Sequence, residues 1–65
     1  MNQRQQLNEE LVEILNRLVQ NNPDLRFSQI LANFGFIDSH KSEYYVEPIE
    51  VLTRVTKTLD KLNND

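Results

Sequence analysis

The chain contains no cysteine, and histidine occurs only once, at His40. A disulfide framework and a thiolate metal site are therefore excluded, and a zinc or haem site would need carboxylates or a second chain. A single glycine and two prolines leave little room for disorder beyond the ends. No apolar run approaches the roughly 18–20 residues of a membrane span, and no signal-peptide core follows the start. The expected compartment is the cytoplasm of whichever cell makes the chain. A basic excess is also missing. The formal charge of −3 argues against a broad phosphate-binding surface. Glycine-rich phosphate loops, nucleophile elbows, internal repeats and low-complexity segments are all absent.

What the sequence does contain is helical period. Sixty-five residues make one domain, near the lower limit at which a core can hold itself together. Residues 22–36 read as a complete short helix with both ends written in. Asn22 suits the N-cap, Pro23 the first helical position, and Asp24 the positive end of the dipole. Phe27, Ile30, Leu31 and Phe34 form one apolar stripe at i, i+3, i+4 and i+7. Gly35 can adopt the left-handed conformation that ends a helix, and Phe36 can fold back on the last turn. A helix this aromatic is expected to be the core hub, touching both of its neighbours.

Before it, Leu7, Leu11, Ile14, Leu15 and Leu18 predict a long helix from about Gln3 to Asn21, capped by Asn2, with Val12 and Val19 widening the stripe. Glu9, Glu10 and Glu13 read as a solvated face, and Glu13 with Arg17 as an i,i+4 pair. After Gly35 the chain turns polar, and residues 36–43 read as the longest loop. Tyr44-Tyr45-Val46 is read as the lead-in to a last helix, since no partner strand is visible. That helix starts at Pro48, after Glu47 as an unusual cap, and runs to about Asn63. Its Leu52, Val55, Leu59 and Leu62 are spaced like a coiled-coil seam, on a backbone whose β-branched residues lower helix propensity. The predicted fold class is all-α: a single three-helix domain over residues 1–65, with a long helix, a short central helix, a loop and a C-terminal helix.

No cluster of side chains stands out as catalytic, cofactor-binding or metal-ligating. Glu9/Glu13 and Glu47/Glu50 are carboxylate pairs at helical spacing, but charge at a helix start explains them more simply. His40, beside Lys41, reads as an exposed loop residue. Arg26 stands in the first turn of the central helix, where the dipole disfavours a cation. It is expected either to pin that helix through Asp24, Glu47 or a carbonyl, or to anchor a partner's carboxylate. Of Tyr44 and Tyr45, one is expected in the core and one at a rim, where an exposed tyrosine near an arginine suits an interface. Ala32 and Gly35 suggest the turn of a helix-turn-helix DNA reader. Their spacing is one residue short, however, and the acidic-polar stretch that follows makes a poor recognition helix.

The run Asn22-Pro23-Asp24-Leu25-Arg26-Phe27-Ser28-Gln29-Ile30-Leu31, with the later Tyr44-Tyr45-Val46-Glu47, resembles a group of short proteins encoded by bacteriophages and prophages. The resemblance covers about residues 20–52. It departs from the group at Ser28, where glycine is usual, and at Ser42-Glu43-Tyr44, where aspartate-proline-phenylalanine is usual. It implies an origin more than an activity. The expectation is a non-enzymatic, cofactor-free protein in the bacterial host cytoplasm that inhibits or modulates a host protein of defence, transcription or replication. Arg26, Tyr44 and Tyr45 are its partner-binding candidates. A small helix-turn-helix DNA regulator is the alternative. Surplus apolar surface predicts a homodimer through Leu52, Val55, Leu59 and Leu62, with part of the first helix. Nucleic acid and membrane are not expected partners.

Overall fold

A computed structural model describes residues 2–38, 40 and 42–63. Among these residues three helices follow one another: α1 (Gln3–Asn21), α2 (Phe27–Asn33) and α3 (Pro48–Asn63). Among the described residues there is no strand, and no helix is long and apolar enough to cross a membrane. The fold is all-α, as the periodicity predicts.

The start of α1 is written locally. Asn2 is extended, and its Oδ1 accepts the Gln5 N–H at 2.7 Å, satisfying one of the donors a helix start leaves unpaired. The end of α1 overturns one expectation. Asn22 does not open the next helix; it closes this one. Its Nδ2 donates to the Leu18 carbonyl at 2.8 Å, and its N–H to that of Val19 at 3.4 Å. The physical reason lies in Pro23, which holds the preceding residue out of the helical region, so Asn22 is better placed to finish a helix. Its own carbonyl accepts the Leu25 N–H at 3.2 Å, and the chain makes a turn where a first helical turn was expected.

α2 therefore begins only at Phe27 and is seven residues long. Its start is half of a capping box: the Gln29 side-chain oxygen accepts the Arg26 N–H at 2.8 Å, while a guanidinium has no lone pair to return the bond. Its end follows expectation. Gly35 takes φ +89°, and the Phe36 N–H reaches the Leu31 carbonyl at 2.9 Å, the six-to-one closure of a Schellman turn, with the Ile37 N–H on the same carbonyl at 3.2 Å. Phe36 folds back and is buried.

The core is small. Ile30, Phe36 and Val55 are the buried large apolar residues among those described, joined by Pro48 at the start of α3. Leu31 and Phe34 are half-buried, and Phe27 is 59% exposed. The central helix is thus not the hub. α1 packs most extensively on α3, and α2 reaches α1 only. Two helical turns are too short to cover two neighbours, and α2 meets α3 instead through the Gly35-Phe36 turn. There, a Cβ on Gly35 would come to 3.1 Å from Thr58 Oγ1 and 3.2 Å from the Arg54 carbonyl.

Candidate functional site

The site grows from a pinned turn. Between Phe36 and Pro48 the chain has no helix of its own among the described residues, and polar contacts order it. The Glu43 carbonyl accepts the Val46 N–H at 3.2 Å, closing a four-residue turn with Tyr44 and Tyr45 at its centre. Both tyrosines are 85% exposed. Their rings meet edge to face, with centroids 4.8 Å apart and planes at 74°, a favoured aromatic arrangement.

Each shoulder of the turn is tied to a different helix by an arginine–glutamate pair. On one side Arg54 of α3 donates from Nη2 to Glu43 Oε1 at 2.9 Å. The same guanidinium donates from Nε to the Gly35 carbonyl at 2.6 Å and from Nη2 to the Phe36 carbonyl at 3.1 Å. One side chain of α3 therefore holds the end of α2 and the start of the tyrosine turn together. Glu43 Oε2 also accepts the Asp38 N–H at 3.0 Å. The Arg54 guanidinium, and after it the Asp38 N–H, holds the Glu43 carboxyl below its ordinary 4.5. Arg54 Nη1 is buried without a hydrogen-bond partner among the described residues, a cost this clamp carries.

On the other side Arg4 of α1 makes a two-pronged pair with Glu47, Nε to Oε2 at 3.0 Å and Nη2 to Oε1 at 3.1 Å. This pair is exposed and so contributes orientation more than stability. Glu47 is not a side-chain cap of α3; its carboxylate faces α1, and only its carbonyl serves the helix, accepting from Glu50 and Val51. Arg4, Glu47 and Pro48 form the ridge between two open hollows. One, of about 440 Å³, is lined further by Leu7 and Ile49; the other, of about 330 Å³, by Asn8, Tyr44, Tyr45 and Val46. Among the described residues each hollow has Glu47 as its sole carboxylate, already ion-paired, and no three acidic or histidine side chains converge.

The candidates named from sequence are scattered over this surface. Tyr44 and Tyr45 stand together, but the division into one core and one rim tyrosine is wrong: both face solvent, because they occupy the middle of a turn. Tyr44-Tyr45-Val46 is a lead-in to α3, as expected. Arg26 is exposed at the α2 cap. Its guanidinium has no ion pair to Asp24 or Glu47, so neither of the two acidic contacts expected to pin the helix is made. His40 is exposed and its N–H donates to Asp38 Oδ1 at 2.9 Å; Lys41 lies outside the described residues. Of the seam residues, Val55 is 0% exposed and belongs to the chain's own core, so it drops out of any interface between copies. Leu52 and Leu59 are half-buried, and Leu62 is exposed.

Sequence reasoning passed over Arg54, Glu43 and Arg4. Arg54 precedes Thr58 by one turn at the edge of the α3 stripe, and a cation on a half-buried flank is a readable sign of an inward carbonyl or carboxylate. The pairing of Arg4 with Glu47 spans 43 positions and has no local signal. Comparison with protein-family models, with curated proteins and with solved structures finds no match to this chain.

Proposed function

We propose that the chain is a non-enzymatic binding protein of phage type that modulates a protein of its bacterial host, with the Tyr44-Tyr45 turn as its contact. The observation that carries this reading is the exposure of two adjacent tyrosines on a turn tied at both shoulders, by Arg54–Glu43 and Arg4–Glu47. Exposed aromatic rings are ordinarily a liability, and tyrosine is enriched among the few residues that carry binding energy. A turn already fixed loses little entropy on docking. Exposed Ile49 and the flanking hollows add apolar surface beside the Arg4–Glu47 shoulder of the turn. The host target is a factor of defence, transcription or replication, met in the cytoplasm without a cofactor.

The test is a paired pull-down from bacterial lysate with the wild type and a Tyr44→Ala/Tyr45→Ala variant. A specific protein retained by the wild type and lost from the variant, at unchanged helical signal, is the expected result. Equal retention, or none by the wild type, removes the turn from the binding surface. The DNA-regulator alternative draws no support from the segment after Gly35, where a recognition helix would belong: its described residues form none, and Asp38 and Glu43 lie along it. With a net charge of −3 the chain is expected to show no duplex binding at physiological salt.

A further inference from the structure

Taking the tyrosine turn as the contact, as proposed above, we infer that the partner segment it receives is a proline-rich stretch in the extended polyproline II conformation. The hollow of about 330 Å³ beside the turn has an apolar bed and a polar, aromatic rim. Pro48 is buried and Val46 half-buried, whereas Tyr44, Tyr45, Arg4 and Asn8 are all exposed. The two sides of the rim come from different elements, the tyrosines from the turn and Arg4 and Asn8 from α1. Arg4 and Asn8 stand about 6 Å apart along the helix axis.

Hydrogen bonding selects the occupant. A guanidinium has five N–H groups and no acceptor. Arg4 uses one on Nε and one on Nη2 for Glu47, which leaves three without a partner among the described residues. The Asn8 amide and the two phenols make no side-chain hydrogen bond there either. Glu47, the one carboxylate of the hollow among the described residues, already has both oxygens on Arg4. The rim is thus rich in free donors, and its strongest acceptor is taken. A proline residue is the complement: it offers a carbonyl and no N–H, and a polyproline II backbone has no internal hydrogen bonds to occupy its carbonyls. Ring geometry agrees. Two tyrosine rings with planes at 74° present a face beside an edge, and the C–H groups next to a prolyl nitrogen carry the partial positive charge that suits an aromatic face. A turn tied at both shoulders and a segment already extended each lose little freedom on meeting. A lysine or arginine side chain would also favour the ring faces, but here it meets the Arg4 guanidinium and finds the carboxylate already paired.

Tyrosine emission reads this site directly, because the chain has no tryptophan and its two tyrosines are the two of the turn. Decaproline carries no aromatic group. Titrated into the full chain, it is expected to change that emission saturably, and a glycine-serine decamer is expected not to. Calorimetry follows the variants. Tyr44→Ala/Tyr45→Ala is expected to bind decaproline about 30-fold more weakly, the loss that marks a hot spot. Asn8→Glu sets a carboxylate one helical turn from Arg4, where it takes up the free N–H groups. It is expected to bind about tenfold more weakly with both rings in place, and it carries the test should the tyrosine variant fail to fold. Phe27→Ala removes an exposed ring from α2 instead and is expected to bind as the wild type does. Absence of saturable decaproline binding overturns the proposal, as does equal or tighter binding of the glycine-serine decamer or of decaglutamate. Undiminished binding by Asn8→Glu or by the tyrosine variant overturns it too. If decaproline fails while the lysate experiment captures a host protein through the turn, the proline chemistry alone is overturned. If decaproline binds and no host protein is captured, the proline site stands and the host-protein reading falls.

Discussion

Arg54 does more to organise this chain than any apolar residue outside the three-member core. Its guanidinium joins two segments that share no helix: the Gly35-Phe36 turn that ends α2 and the tyrosine turn at Glu43. Replacing it by methionine keeps the stem but strands two carbonyls and a carboxylate. The expected loss is about 2–3 kcal/mol, measured by urea denaturation, together with faster hydrogen exchange at the Asp38 amide. Glu43 gives the same clamp a pH signature. Its carboxyl titrates below the ordinary 4.5 because the charged form is held by Arg54. A depressed folded-state value means that the stabilisation is complete above pH 4.5 and is lost as pH falls through the lower folded value. Glu43→Gln is expected to flatten that part of the stability-against-pH curve and to leave the slope elsewhere unchanged. A variant curve parallel to the wild type down to the acid limit would show that the pair contributes nothing.

At the scale of the element, the ends matter more than the middles. α2 is two turns long, starts late because Asn22 serves α1, and stops at a glycine with φ +89°. Gly35→Ala faces two obstacles: a left-handed backbone, and a Cβ 3.1–3.3 Å from Thr58 Oγ1 and the Arg54 carbonyl. Arg54 is held there by its own bonds, so the neighbour has little freedom to retreat. The expected destabilisation is about 1–3 kcal/mol, read from the melting transition. Within α2 the apolar stripe is uneven. Ile30 is 2% exposed and Phe27 faces water, so Ile30→Ala is expected to cost about 2–5 kcal/mol and Phe27→Ala under about 1 kcal/mol. Equal losses at the two positions would restore α2 as a hub buried along its whole stripe.

The whole molecule shows why so small a chain has surface to spare. Among the described residues its helices enclose only Ile30, Phe36, Val55 and Pro48, and a fully buried valine on α3 leaves the supposed seam without its centre. The unburied apolar surface is spread over every element, from Val12 on α1 and Phe27 on α2 to the tyrosine turn and Ile49 and Leu62 on α3. If two copies associate, folding and association are linked. The melting temperature is then expected to rise with protein concentration. Concentration-independent melting would place the protein with the marginal monomers.

Local chemistry was enough to set the helices. The asparagine at position 2, the leucines from 7 to 18, the prolines at 23 and 48 and the glycine at 35 determined that there are three helices. They also placed the bounds of α1 and α3, because caps, period and breakers act within a turn of where they stand. The tertiary structure alone decided which apolar positions are core. Val12 and Val55 read alike in a helical pattern, and only the angle at which α1 meets α3 buries one and exposes the other. It also decided what holds the loop. Arg4 with Glu47 and Arg54 with Glu43 are separated by 43 and 11 positions, and a charge carries no mark of a distant partner until the chain has folded back to bring one within 3 Å.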